Sequence, residues 1–190
     1  MMNQPTLLVV DDTSASLKLI KDILSAADYK VLTANAGELA LRALADHRPD
    51  LILLDVRMPD MDGFEVCRRL KDNPKTRDIP VIFLSAVTDL DEKVEGFKLG
   101  AVDFISKPFQ RDELLARVRT HLQLYRLQSE LEQLVADRTT ALEKSNRAYQ
   151  TLSRCNHLVA HAKDETSLLR EACAIVQQTG TYRMAWIGLA

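Results

Sequence analysis

The stretch LILLDVRMPDMDG, residues 51–63, decides how this chain is read. Leu51, Ile52, Leu53 and Leu54 have the length and composition of a strand buried on both faces. The run ends on Asp55, and a turn containing Pro59 and Gly63 follows directly. A carboxylate at the lip of a core strand is costly to desolvate unless a positive charge meets it. Asp55 therefore requires a cationic partner from elsewhere in the chain.

Four further short runs flank this one, at residues 6–10, 30–34, 81–86 and 103–106. Between them apolar residues recur at helical spacing, as in Leu17, Ile20 and Leu24, and again in Leu39, Leu41 and Leu44. Parallel neighbours need crossover connections, so five strands alternating with helices predict an α/β doubly wound domain with a five-stranded parallel sheet. In such a sheet ligands bind at the carboxyl ends of the strands, where the winding reverses. That rule gathers Asp11 and Asp12 from the first run, Asp55 from the third, Ser85 from the fourth and Lys107 from the fifth. Three convergent carboxylates repel one another and persist at neutral pH when a hard divalent cation, here magnesium, sits among them. Lys107, followed by Pro108, is the cation that Asp55 requires. The set suits attack by a carboxylate on a phosphoryl group, with metal and lysine neutralising the transferred oxygens and an acyl phosphate as product.

The segments VVDD, LILLDVRMPDMDGFE, IFLSA and DFISKPF, in that order and spacing, resemble the receiver (CheY-like) domain of bacterial two-component response regulators over residues 5–122. The resemblance implies the strand order 2-1-3-4-5 and makes Asp55 the phosphoacceptor. It implies magnesium held directly by Asp12 and Asp55, through water by Asp11, and by the Arg57 backbone carbonyl. Ser85 is then the hydroxyl that moves to the phosphoryl oxygen, Phe104 an aromatic switch that packs inward on phosphorylation, and Lys107 the contact to the phosphate. The Lys107–Pro108 bond is then cis. Phe104 stands where tyrosine is frequent, which removes a hydroxyl. Arg57 and Val87, two places after Asp55 and Ser85, line the route of the attacking water and tune the lifetime of the phosphate. The implied partner is a cognate histidine kinase or phosphotransfer protein, or a small phosphodonor.

Three other readings compete. A set of solvated caps explains any one of these residues but not the full set. An aspartyl-phosphate phosphatase would want a second acid two places after its nucleophile, where this chain has Arg57. A nucleotide site fails because the first loop, DDTSAS, has no glycine to let phosphates approach the backbone. The alternative from another class is a receiver-like dimerisation scaffold that takes no phosphate.

Residues 110–179 contain no glycine or proline, and the composition shifts to Leu, Glu, Gln, Arg and Ala, which predicts a long helix over residues 110–155. Leu124, Leu131 and Leu152 share one heptad position; Leu127, Leu134, Ala141, Ala148 and Cys155 share a second, with Val135, Leu142 and Tyr149 beside them. Arg138 and Ser145 interrupt the first stripe. Such a stripe needs a second helix, which predicts a coiled coil and a homodimer built on it and on the face of the fourth and fifth helices. A solvated tether is the alternative. A fresh amphipathic helix is expected over 166–178, then a strand in YRMAWIGLA with Tyr182 and Trp186 as core residues. Residues 156–190 look like the start of a GAF-like domain that breaks off. His157 and His161 stand one helical turn apart, which could suggest metal binding or a phosphorelay histidine, but neither has an acidic neighbour to activate or orient it and the zinc-protease glutamate is missing, so no site is read there.

Composition narrows the rest. With 25 basic and 27 acidic residues and a net charge of −2, the chain has no basic footprint for nucleic acid or an anionic membrane. Cys67, Cys155 and Cys173 are odd in number and far apart, which fits neither a disulfide framework nor zinc. No apolar run suits a signal or a membrane span, so a cytoplasmic location is expected. The chain reads as a signalling module that catalyses only its own aspartyl phosphorylation and dephosphorylation. Its output, a cyclic-dinucleotide cyclase or phosphodiesterase or a histidine kinase, would lie downstream.

Overall fold

The computed structural model describes residues 4–86, 90–161 and 165–179. The chain divides into two compact units, residues 1–128 and 129–190.

In the first unit the elements run β1 (Thr6–Val10), α1 (Ser14–Ser25), β2 (Lys30–Ala34), α2 (Gly37–Asp46), β3 (Leu51–Asp55), α3 (Gly63–Asp72), β4 (Val81–Ser85), α4 (Leu90–Lys98), β5 (Asp103–Ser106) and the start of α5 (Arg111–His161). All neighbouring strands pair in parallel, in the order β2-β1-β3-β4-β5. The predicted sheet and strand order are therefore those of the protein. Asp55 closes β3 as a member of the strand, and β4 stops at Ser85 rather than Ala86.

Side chains alternate across a strand, so each apolar run feeds two cores. Leu8, Val10, Ile52, Leu54, Val81 and Phe83 face one cluster, closed by Val66, Cys67 and Leu70 of α3. Leu7, Val9, Leu51, Leu53, Ile82 and Leu84 face the other, closed by Ile20 and Leu24 of α1. Leu114, Val118 and Leu122, four apart on α5, complete that second face. Leu39 departs from its expected place beside Leu41 and Leu44. It is exposed, because two residues along a helix turn through about 200° and Leu41 takes the inner position.

Two local features aim the loops at the end of β3. The Asp62 carboxylate caps α3 by accepting from Glu65 N at 2.8 Å. Gly63 starts that helix against the strand itself: a Cβ there would sit 2.2 Å from the Asp55 carbonyl oxygen, so no larger residue fits.

The second unit contains the remainder of α5 and α6 (Glu165–Thr179). The long helix continues six residues past its expected end at 155, to His161, where no glycine or proline stops it, and the fresh helix expected over 166–178 is present as Glu165–Thr179. Of the heptad residues, Leu131, Leu134, Val135, Leu142, Tyr149 and Leu152 are each more than half exposed. His157 lines a cavity with Glu171 of α6, an acidic neighbour that spacing along one helix did not offer. The expected strand with Tyr182 and Trp186 lies outside the described residues, as do Val87 and the side chain of Cys155. Among the described residues no helix is long and apolar enough to cross a membrane.

Candidate functional site

The carboxyl ends of β1, β3, β4 and β5 bring together the residues that the sequence singled out. Asp11 follows β1 and is fully buried. Its Oδ1 accepts from Thr13 N at 2.8 Å, and its Oδ2 accepts from Ser16 Oγ and Lys107 Nζ, each at 2.7 Å. Asp12 beside it is exposed. Asp55 is 6% exposed, with Oδ2 accepting from Lys107 Nζ at 2.6 Å and Oδ1 from Arg57 N at 3.4 Å. Carboxylate oxygens of Asp11, Asp12 and Asp55 all lie within 4.8 Å of one another. Three hard oxygen donors at that spacing, one of them open to solvent, fit a small divalent cation that keeps several waters.

Lys107 is the cation that Asp55 requires, and it serves Asp11 as well. Its backbone is anchored by donation from Lys107 N to Ser85 O at 2.7 Å, and the Lys107–Pro108 peptide is cis as expected. The shared ammonium and the burial pull the charges in opposite directions. Burial raises the Asp55 pKa above its ordinary value; the Lys107 hydrogen bond and charge oppose the rise without cancelling it, and Asp11 adds to it. Burial also works against the Lys107 charge, but its hydrogen bonds to Asp11 and Asp55 outweigh that and push its pKa up. The result is a basic, desolvated carboxylate held against a firmly protonated amine.

A cavity of about 500 Å³ opens beside this cluster, lined by Asp12, Val56, Arg57, Phe64 and Glu92 among others. Residues 7–119 match the response regulator receiver domain family.

The chain belongs to that family.

Among curated relatives of this receiver, Response regulator PleD of Caulobacter vibrioides is 48% identical over 114 residues, covering 60% of this chain and 25% of that protein. A probable cyclic di-GMP phosphodiesterase of Vibrio cholerae is 43% identical over 122 residues, covering 64% of this chain and 27% of the relative. The chain thus spans about a quarter of the length of these proteins. The solved structure of the Vibrio cholerae chemotaxis protein CheY4 superposes with a TM-score of 0.60 at 31% identity, covering 62% of this chain and 98% of that one.

Ser85 sits at the end of β4 with 4% exposure, one strand away from Asp55. Phe104, the ring that the resemblance makes a switch, is already inside without a phosphoryl group, 8% exposed, with centroids 5.2 Å from Phe83 and from Phe97. The reason is Gly96 on α4, where a Cβ would lie 2.4 Å from Phe104 Cζ; its bare backbone leaves the ring its seat. Any outward position of Phe104 has to be reached from this one.

Sequence reading missed Thr13 and Ser16, which hold Asp11 in place, and Gly96. It also missed Glu92, whose Oε1 lies 3.4 Å from Arg57 Nη2. The first pair carried a faint signal, since a hydroxyl just after an aspartate pair at a strand-to-helix turn suits local bonding. For Gly96 and Glu92, both on an ordinary amphipathic helix, there was none.

Proposed function

We propose that this chain is the phosphoacceptor module of a two-component phosphorelay, taking a phosphoryl group on Asp55 from a histidine kinase, a phosphotransfer protein or a small phosphodonor. The observation that carries the reading is Lys107 Nζ bridging Asp11 and Asp55 at 2.7 and 2.6 Å beside the acidic cluster. An Asp55 carboxylate oxygen attacks the phosphorus and forms the new O–P bond. The bond from phosphorus to the donor's leaving atom breaks, and its electron pair departs with that atom: an imidazole nitrogen then takes a proton from solvent, while an acyl phosphate releases its carboxylate as the anion. Burial makes Asp55 a more basic nucleophile than an ordinary aspartate. Lys107 stays with the site and neutralises negative charge on the transferred oxygens. Magnesium held by Asp12 and Asp55, by Asp11 through water and by the Arg57 carbonyl would supply further charge neutralisation on those oxygens. Ser85 is the hydroxyl that turns to the phosphoryl group, and Phe104 the ring whose position follows it.

The receiver occupies residues 5–122, the signalling helix 110–155 and the start of a GAF-like domain 156–190. The half-exposed stripe on α5 supports a homodimer through that helix and the α4–α5 face, located in the cytoplasm, with the output domain further along the full protein. That output is a cyclic-dinucleotide cyclase or phosphodiesterase, or a histidine kinase.

Intact mass after incubation with acetyl phosphate and magnesium tests the reading. A gain of one phosphoryl group by the wild type, absent in Asp55→Asn and absent without magnesium, is the expected result. No gain under any condition would leave the dimerisation scaffold in its place.

A further inference from the structure

Arg57 and Glu92 face each other at the cavity beside the carboxylates. Arg57 lies two residues beyond Asp55 in the loop leading to α3, and Glu92 lies in the first turn of α4. Arg57 Nη2 approaches Glu92 Oε1 to 3.4 Å, with side chains 70% and 32% exposed. The other carboxylate oxygen, Glu92 Oε2, is shielded from solvent and has no hydrogen-bond partner among the described residues. A shielded carboxylate oxygen without a donor is costly, and an exposed ion pair at this distance adds little to stability. The pair is therefore poorly explained as a staple of the fold.

Its position suggests another role. Both residues line one cavity with Asp12, a member of the carboxylate cluster that contains Asp55. An incoming phosphodonor carries negative charge through that space. Glu92 opposes it, and Arg57, the cation best suited to a phosphoryl group by its forked donors, is turned toward Glu92.

We propose that Glu92 is a positioning residue for phosphorylation: it holds the Arg57 guanidinium on the α4 side of the cavity, and Arg57 exchanges from Glu92 to the phosphoryl group once that group is on Asp55. The proposal rests on Asp55 being the phosphoacceptor. The exchange has a driving force, because a phosphoryl group offers close to two negative charges and three acceptor oxygens against the single charge of a carboxylate. It makes and breaks only hydrogen bonds and ion contacts. Its consequence is mechanical: the loop after β3 is tied to α4 before phosphorylation and untied after it.

The test is a double-mutant cycle on the full 190-residue chain. Rates of phosphoryl gain from acetyl phosphate with magnesium are measured by intact mass for wild type, Glu92→Gln, Arg57→Gln and the pair. Glu92→Gln is expected to raise the rate about 2–5-fold, the bias an exposed ion pair can exert. The same change in the Arg57→Gln background is expected to give a clearly smaller gain, the part due to the Glu92 charge alone. Without any phosphodonor, amide exchange in residues 90–98 is expected to rise equally in both single variants. A Glu92→Gln rate equal to or below that of the wild type overturns the proposal, as does the same gain with Arg57 absent, which would make Glu92 a bulk charge only. Unchanged amide exchange overturns the tie to α4. If the wild type itself gains no phosphoryl group, the Asp55 assignment falls first and takes this proposal with it.

Discussion

Replacing Lys107 with methionine keeps most of the side-chain volume and removes the one ammonium that two buried carboxylates share. The side chains of Asp11 and Asp55 are 0% and 8% exposed, that of Lys107 23%. Breaking a buried pair by removing one partner costs about 3–5 kcal/mol; the partial exposure of Lys107 lowers this to about 2–4 kcal/mol. For a domain of this size that is a drop in Tm on the order of 10 °C. The pH dependence gives a sharper signature. The Asp55 pKa is already raised by burial, and losing Lys107 removes what opposes the rise. A carboxyl whose folded pKa lies above its unfolded value favours the folded state once it is protonated, so stability is gained as pH falls through the folded pKa. The deficit of Lys107→Met should therefore shrink as pH falls toward the ordinary carboxylate value of 3.8. Asp55→Asn removes one buried charge and leaves Lys107 paired with Asp11, so it should stay within about 1 kcal/mol of the wild type. The double variant should recover part of the Lys107→Met loss. The assay is urea unfolding followed by circular dichroism, with a chelator present to exclude divalent cations. A Lys107→Met deficit below about 0.5 kcal/mol, or one that does not change with pH, would refute this account of the cluster.

Gly96→Ala puts a methyl 2.4 Å from Phe104 and 3.0 Å from Phe83, so a ring must move, at a cost of about 1–3 kcal/mol by urea unfolding and with loss of Phe83–Phe104 contacts by NMR. Asp62→Ala removes the cap of α3 and should cost about 1 kcal/mol in the same assay. Burial works against the Asp103 charge, but Arg117, Phe104 N and His121 outweigh it and hold its pKa below 3.8; its stabilisation is present above 3.8 and lost as pH falls through the lower folded value. Asp103→Asn should accordingly flatten the acid limb of the stability profile below pH 3.8. Leu131→Glu with Leu142→Glu places charges on the exposed stripe of α5 and is expected to turn a dimer into a monomer in sedimentation.

The strands were legible because a strand buried on both faces needs an unbroken apolar run, and a polar residue at its end marks where burial stops. β1, β2 and β5 have the bounds that composition alone suggested. The gathering of Asp11, Asp12, Asp55, Ser85 and Lys107 was legible for a related reason: parallel strands all end at one edge of the sheet, so order along the chain becomes proximity in space. Helix faces were less legible. Leu39 and Leu41 look alike in sequence, and only packing against the sheet distinguishes them.

What the sequence by itself determined is therefore the sheet, its order through family resemblance, and the identity of the residues at its carboxyl edge. Tertiary structure alone decided that one amine bridges two carboxylates, that Phe104 lies inward over Gly96, and that Glu92 reaches Arg57 across 35 positions of chain. Strand ends follow from local hydropathy. Which side chain meets which across a cavity depends on helix rotation and on distances of a few tenths of an ångström, set by the packing of the whole domain.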